Sequence, residues 1–260
     1  MNDKILSIIL VSKNNSLDVK YTLDSLNGVE KLNYEILVID SSGDLLTKDL
    51  LSEYRHFPNI KYFWTPPKGI YNAMNIGLKM SAENSCIWFL NPGDVLLNLD
   101  CVYQVIDKIS DPKIDFCIIQ SVYANKSHIN ENFFPKKDIV LSLENFVSGN
   151  LAFSHQATFV DKKLFDGGIL FEENYTIAAD YKLQYTLLKH SKGVFIPKLG
   201  VEIDVTGVSH QRVFKTLFQT TLILSRDGYF SLLSASQYFA YKICKRLFES
   251  IKIRIRRLAK

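Results

Sequence analysis

The sequence predicts an α/β fold: an open, mostly parallel sheet with helices on both faces, followed by an α+β second half and a helical C-terminal tail. Three observations lead there. Continuous apolar runs at Ile5 to Val11 and Tyr34 to Ile39 have the pattern of strands covered on both faces. Segments with helical spacing alternate with such runs as far as Ile109. A chain of 260 residues with 47% hydrophobic side chains is long and apolar enough to bury one substantial core.

The elements follow in order. After the first strand, Leu17, Tyr21 and Leu23 to Leu26 give a helix over Ser16 to Leu26 with Ser16 as its N-cap, which closes a β-α-β unit with Tyr34 to Ile39. The alternation predicts a helix near Leu45 to Tyr54, a strand at Ile60 to Phe63, a helix from Ile70 to Met80, a strand at Cys86 to Leu90, a helix from Leu99 to Ile109 and a strand from Phe116 to Val122. Beyond it lie a helix near Ala179 to Lys189, strands at Gly193 to Ile196 and Val201 to Val205, and helices from Gln211 onward. The division is a body over 1–210, with halves 1–122 and 123–210, and an extension over 211–260.

Several classes are excluded. The net charge of +4 is too mild to argue for nucleic acid. Cys86, Cys101, Cys117 and Cys244 form no CxxC pair and fall mostly in apolar runs, so neither a zinc site nor a disulfide framework is indicated, and a reducing cytosol fits. Ile5 to Val11 reads as a buried strand rather than the core of a signal peptide. No apolar run reaches the ~18 residues of a spanning helix, so membrane contact is peripheral.

In open α/β sheets ligands sit beyond the carboxyl ends of the strands, which directs attention to the polar residues there. Ser12 to Asn15 follow the first strand. Asp40, after YEILVI, can accept from a ribose hydroxyl or a base N–H, and can equally hold the turn that Ser41, Ser42 and Gly43 make. No GxGxxG follows the first strand, which counts against a dinucleotide. Lys68 and Gly69 open a helix containing Tyr71, Asn72 and Asn75, a setting for an anion or simply a solvated face. Asn91-Pro92-Gly93-Asp94 is either a turn or a pair of oxygen ligands for a hard cation. Asp180 stands among apolar and aromatic neighbours at a helix start, where a carboxylate serves as a general base or as an N-cap. His155-Gln156, before ATFV, can contact a phosphate or acceptor, or merely satisfy backbone groups.

Taken in order, these pieces resemble the family-two inverting glycosyltransferases of GT-A fold, in particular their bacterial surface-polysaccharide branch. SIILVSKNN resembles that family's first strand and nucleotide-contacting turn, YEILVID its second strand with the nucleoside aspartate, PPKGIYNAMNIG its KGIYDAMNKG segment, and FLNPGD its metal motif. HQATF and IAAD resemble the later acceptor-side and base segments, and Thr206-Gly207-Val208-Ser209 the segment after the last strand. The resemblance implies a Rossmann-like GT-A domain and a nucleotide diphosphate sugar as donor, a UDP-sugar first. It implies donor contacts from Ser12, Asn14, Asp40, Lys68, Gly69, Tyr71, Asn75 and Asn91, and a divalent cation, Mn²⁺ or Mg²⁺, on Asp94. Asp180 is then the catalytic base, with His155 and Gln156 on the acceptor or phosphate side, and the acceptor a hydroxyl of a glycan or polyprenyl-linked saccharide. The pattern departs from the family at Gly93, where a second acid is usual, and at Asn91, which implies a weakly held metal or a reduced reliance on one, at Ala179, and in the shortened DSSGDLLT turn. The competing readings are a non-catalytic sugar-nucleotide or membrane-scaffold protein and a nucleotidyltransferase, which SKNN, lacking a glycine-rich lysine loop, disfavours.

In the tail, Lys242, Lys245, Arg246, Lys252, Arg254, Arg256, Arg257 and Lys260 stand against Glu249 alone. Cys244, Leu247, Phe248, Ile251, Ile255 and Leu258 recur every three or four residues, so the segment reads as a basic amphipathic helix. Such a helix either packs on the body or docks on an anionic membrane. With the resemblance, the second reading puts the protein peripherally on the cytoplasmic face of the cell membrane.

Overall fold

The structure, a computed structural model, describes residues 4–125, 128–204, 213–231, 233–234 and 236–243. Thr206 to Ser209 and the tail from Cys244 lie outside the described residues. Its elements in chain order are β1 (Ile5–Ser12), α1 (Ser16–Ser25), β2 (Tyr34–Asp40), α2 (Leu46–Leu51), β3 (Ile60–Trp64), α3 (Ile70–Met80), β4 (Ser85–Leu90), β5 (Val95–Leu96) and α4 (Leu99–Ile109). There follow β6 (Phe116–Asn125), β7 (His128–Phe134), α5 (Leu143–Ser148), β8 (Thr158–Asp161), α6 (Lys162–Asp166), α7 (Ala179–His190), β9 (Gly193–Asp204) and α8 (Val213–Arg226). Short 3-10 turns occupy Val29–Lys31 and His155–Ala157.

Because alternate residues of a strand face opposite ways, an apolar run with no polar break must be covered twice. That is what happens here. Leu6, Ile8 and Leu10 of β1 join a core with Val19, Leu23, Trp88 and Val105 on one face of the sheet. Ile9 and Val11 join a second core with Ile39, Met74, Phe89 and Leu183 on the other. The described residues form one sheet of order β3-β2-β1-β4-β8-β6-β9-β5, with β7 on β6. The pairs β3·β2, β2·β1, β1·β4 and β6·β9 are parallel. Only β8, antiparallel to both β4 and β6, joins the two sets of strands.

The sequence misjudges four features. The buried stripe of α1 is Val19, Thr22 and Leu23, while Leu17 and Tyr21 face solvent, and its N-cap is Asn15 rather than Ser16. The two strands expected at 193–196 and 201–205 are one, β9, which absorbs register shifts opposite Ile119 to Ser121 instead of breaking. The short strands β5 and β8, the hairpin strand β7 and the helices α5 and α6 have no counterpart in the expected elements. Helix α8 packs into the second core through Ile223 and Leu224, and its Gln219 side-chain oxygen accepts from the backbone N–H groups of Ile177 and Ala178 at 3.0 and 3.1 Å. Cys86, Cys101 and Cys117 are buried free thiols. Among the described residues no helix is long and apolar enough to cross a membrane.

Candidate active site

Strands β1 and β4 are neighbours, yet the chain leaves β1 toward β2 on one side and reaches β4 only after β3, so a crevice opens where the connections diverge. The carboxyl ends of β1, β2, β3, β4, β6 and β9 share this edge, and antiparallel β8 begins there. The topology thereby gathers most of the residues singled out by sequence.

On the β1–β2 side two loops are laced together. Asn14 adopts a left-handed φ of 54°, and its backbone N–H donates to Ser42 Oγ at 2.7 Å while its Oδ1 accepts from Gly43 N at 3.3 Å. Ser12 Oγ donates to Asn15 Oδ1 at 2.8 Å, and the Ser41 N–H to the carbonyl of Ser12 at 2.9 Å. Asp40 is fully buried; its Oδ1 accepts from Ser42 Oγ at 2.6 Å and its Oδ2 from the Tyr62 hydroxyl at 3.0 Å. Burial, with the Asp40 charge beside it, pushes the Tyr62 phenol up to about 12, so it stays a neutral donor.

Lys68 and Gly69 are exposed at the start of α3, where Gly69, at φ 112°, is the N-cap. Asn75 braces the segment after α6: its Oδ1 accepts from Phe171 N at 3.1 Å, and its Nδ2 donates to the Phe171 carbonyl at 2.9 Å and Glu173 Oε1 at 3.1 Å. Both N–H groups of its amide are thereby taken, and its oxygen keeps one lone pair.

The Asn91–Asp94 turn is pinned from below. Its Gly93 has φ 100°, and the Gly93 N–H donates to Thr22 Oγ1 of α1 at 2.9 Å. Asp94 is 1% exposed, and its two oxygens accept from Asn91 N at 2.8 Å and from Asp204 N, at the end of β9, at 3.2 Å. Burial pushes its carboxyl up to about 7, against these hydrogen bonds and one to Gln156. Asn91 Oδ1 is buried with no hydrogen-bond partner, and its Nδ2 lies 3.5 Å from His155 Nε2. Among the described residues no group of three His, Cys, Asp or Glu side chains could hold an ion by itself. An orphaned amide oxygen beside a carboxylate nevertheless fits a hard cation that takes most of its ligands from a diphosphate and water.

Asp180 joins the Asn91–Asp94 turn through His155. It is not the N-cap of α7; Ala178 is, and Asp180 lies in the first turn, where a negative charge suits the helix dipole. Its Oδ1 accepts from Tyr181 N at 2.8 Å and faces the Tyr71 hydroxyl at 3.2 Å, while its Oδ2 lies 3.6 Å from His155 Nδ1. The Asp180 side chain is 30% exposed and that of His155 12%. With Nδ1 protonated toward Asp180, His155 Nε2 is left to accept from Asn91, so the imidazole bridges the two turns. Tyr71 also donates to the Ile177 carbonyl at 2.8 Å and stacks on Phe171; burial, with the charge of Asp180, holds its phenol far above the ordinary value.

Sequence reasoning missed Thr22, Tyr123, Asp204 and Gln219. Tyr123 near the end of β6 has its phenol raised by burial and then by the charges of Asp180 and Asp94. The strand-end rule that selects Asp40 also selects Asp204, whereas Thr22 and Gln219 carry no local signal.

Such a carboxyl edge, with a buried carboxylate turn linked through His155 to a part-exposed carboxylate, belongs to a glycosyltransferase of GT-A fold. The chain is a member of glycosyltransferase family 2: residues 7–161 match the family described as Glycosyl transferase family 2. The uncharacterized glycosyltransferase Rv1514c of Mycobacterium tuberculosis H37Rv is 26% identical over 228 residues, covering 82% of this chain and 79% of that protein. Among solved structures, S. aureus TarS 1–349 superposes with a TM-score of 0.65 at 19% identity, over 91% of this chain and 69% of that one. The same fragment in complex with UDP-GlcNAc gives 0.65 at 18%, over 92% and 71%. The mannosyltransferase PcManGT of Pyrobaculum calidifontis, in complex with GDP-Man and Mn²⁺, gives 0.62 at 13%, over 91% and 69%. At these identities the structures speak for the fold.

Proposed function

We propose that the protein moves a sugar from a nucleotide diphosphate sugar, a UDP-sugar first, to a hydroxyl of a glycan or polyprenyl-linked saccharide, with inversion, in the synthesis of a surface polysaccharide such as lipopolysaccharide or capsule. The observation that carries this reading is Asp180: a carboxylate with 30% exposure, braced by Tyr71 and Tyr181 N–H, across a crevice from the loops after β1 and β2. Asp180 Oδ2 takes the proton of the acceptor hydroxyl as its oxygen bonds to the anomeric carbon, and the diphosphate leaves from the opposite face. His155 orients Asp180 and the amide of Asn91. Lys68 and the N-terminus of α3 receive the departing negative charge. A divalent cation held by Asp94 and Asn91 Oδ1 would neutralise charge on the diphosphate. The solved relatives bound to UDP-GlcNAc and GDP-Man support the donor class.

The decisive experiment follows donor consumption and product stereochemistry with the full chain and its Asp180→Asn variant. Loss of transfer and of slow donor hydrolysis with donor affinity retained supports the assignment; full activity in the variant moves the base elsewhere. The basic segment 242–260 gives the protein its proposed peripheral seat on the inner face of the cell membrane. Co-sedimentation with anionic vesicles that falls as salt rises supports that seat, and indifference to such vesicles at low salt refutes it.

A further inference from the structure

Trp64 ends β3 in register with Asp40, the last residue of β2. Its indole Nε1–H donates to the backbone carbonyl of Ser42 at 3.0 Å, so the polar edge of the ring is satisfied by the loop that Asp40 and Asn14 hold rigid. The side chain nevertheless remains 57% exposed. With its one donor satisfied and its orientation fixed, the ring offers a large flat apolar face to whatever binds over this loop. The loop it lies on follows β2 at the carboxyl edge of the sheet, one strand from β1 and its crevice with β4, and the ring is flanked in sequence by exposed Pro66, Pro67 and Lys68.

We infer that the Trp64 indole is the platform on which the nucleobase of the donor stacks. The inference rests on the nucleotide-sugar reading above and deepens it. A planar heterocycle covers the exposed ring without demanding a new hydrogen bond from it, and any base has a face to offer, so Trp64 supplies affinity rather than discrimination between bases. Anchoring by Ser42 fixes the ring before the ligand arrives, which lowers the entropy cost of stacking.

The chain has two tryptophans, and the other, Trp88, is fully buried against Phe159, its Nε1–H donating to the Gln156 carbonyl at 2.7 Å. Tryptophan emission from the full chain is therefore followed during titration with UDP and with GDP, alongside calorimetry, for the wild type, Trp64→Phe and Trp64→Ala. The expected result is quenching in the wild type, loss of that quenching in Trp64→Phe with near-normal affinity, and affinity about tenfold weaker in Trp64→Ala. Affinity for inorganic pyrophosphate should stay the same in all three, which also shows that the variants are folded. Nucleotide heat with unchanged emission and an unaffected Trp64→Ala overturns the platform alone. If neither nucleotide binds the wild type, the nucleotide-sugar reading falls and the platform with it.

Discussion

At the β1–β2 end of the crevice Asp40 spends its oxygens on Ser42 and Tyr62 and is fully buried; at the α7 end Asp180 keeps 30% of its side chain exposed, one oxygen directed at His155. Both are strand-end or helix-start aspartates of the same cleft. The first is architecture, because removing it strands buried donors. The second keeps exposed acceptor capacity, as the proposed base requires. Position at the carboxyl edge thus marks a residue as belonging to the site, and its hydrogen-bond account tells which kind of work it does.

That contrast can be broken by substitution. Asp180→Asn should lower the rate of sugar transfer by about 10²–10⁴ while leaving donor affinity and melting temperature near wild type, as read by kinetics, calorimetry and thermal unfolding. Asp40→Ala should do the opposite, costing about 3 kcal/mol of stability in denaturant unfolding because Ser42 and Tyr62 lose a buried acceptor. A stable Asp40→Ala protein with selectively weakened nucleoside binding would erase the distinction. Gln219→Leu leaves the N–H groups of Ile177 and Ala178 without their acceptor, and about 2 kcal/mol of stability should go. If α8 holds the Asp180 segment in place, kcat should fall with donor KM unchanged.

The smallest effect lies at the far end of the sheet. Burial pushes the Glu35 carboxyl up, but hydrogen bonds from Ser7, Lys61 and Ala82 N–H outweigh it and hold it below its ordinary 4.5. A lowered folded-state value means stability that is present above 4.5 and lost as pH falls through the folded value. Glu35→Gln should therefore weaken the protein at neutral pH and flatten its loss of stability in acid, with no change in the pH dependence of transfer.

What the chain reveals before folding follows the same divide. Helices over Ile70–Met80 and Leu99–Ile109 were legible to the residue, since long periodic segments bounded by turns have one reading. The four residues of β8 were not, because TFVD is too short for any period to show. The face of α1 was misread because Leu17 sits in its open first turn, whereas Thr22, polar but buried, serves the Gly93 turn. In the site, strand ends pointed to Asp40 and Asn91 to Asp94 unaided, while Asp180 and His155 stood out through the family resemblance. That Tyr71 and His155 brace Asp180 depends on contacts across 109 residues in one case and on the meeting of two separate turns in the other. No local pattern encodes such encounters.

The arrangement of β8 bears on how the chain is made. Strands β3, β2, β1 and β4 can pair as they leave the ribosome, but among the described residues the set built on β6 and β9 continues their sheet only along Thr158–Asp161. Until that stretch emerges, β4 presents an unpaired edge, SCIWFL, apolar after its first residue and of the kind that recruits other nascent chains. Protection of this edge then hangs on a late, four-residue zipper, so changes to Phe159 or Val160 should be felt first as aggregation during synthesis, ahead of any loss in the finished enzyme.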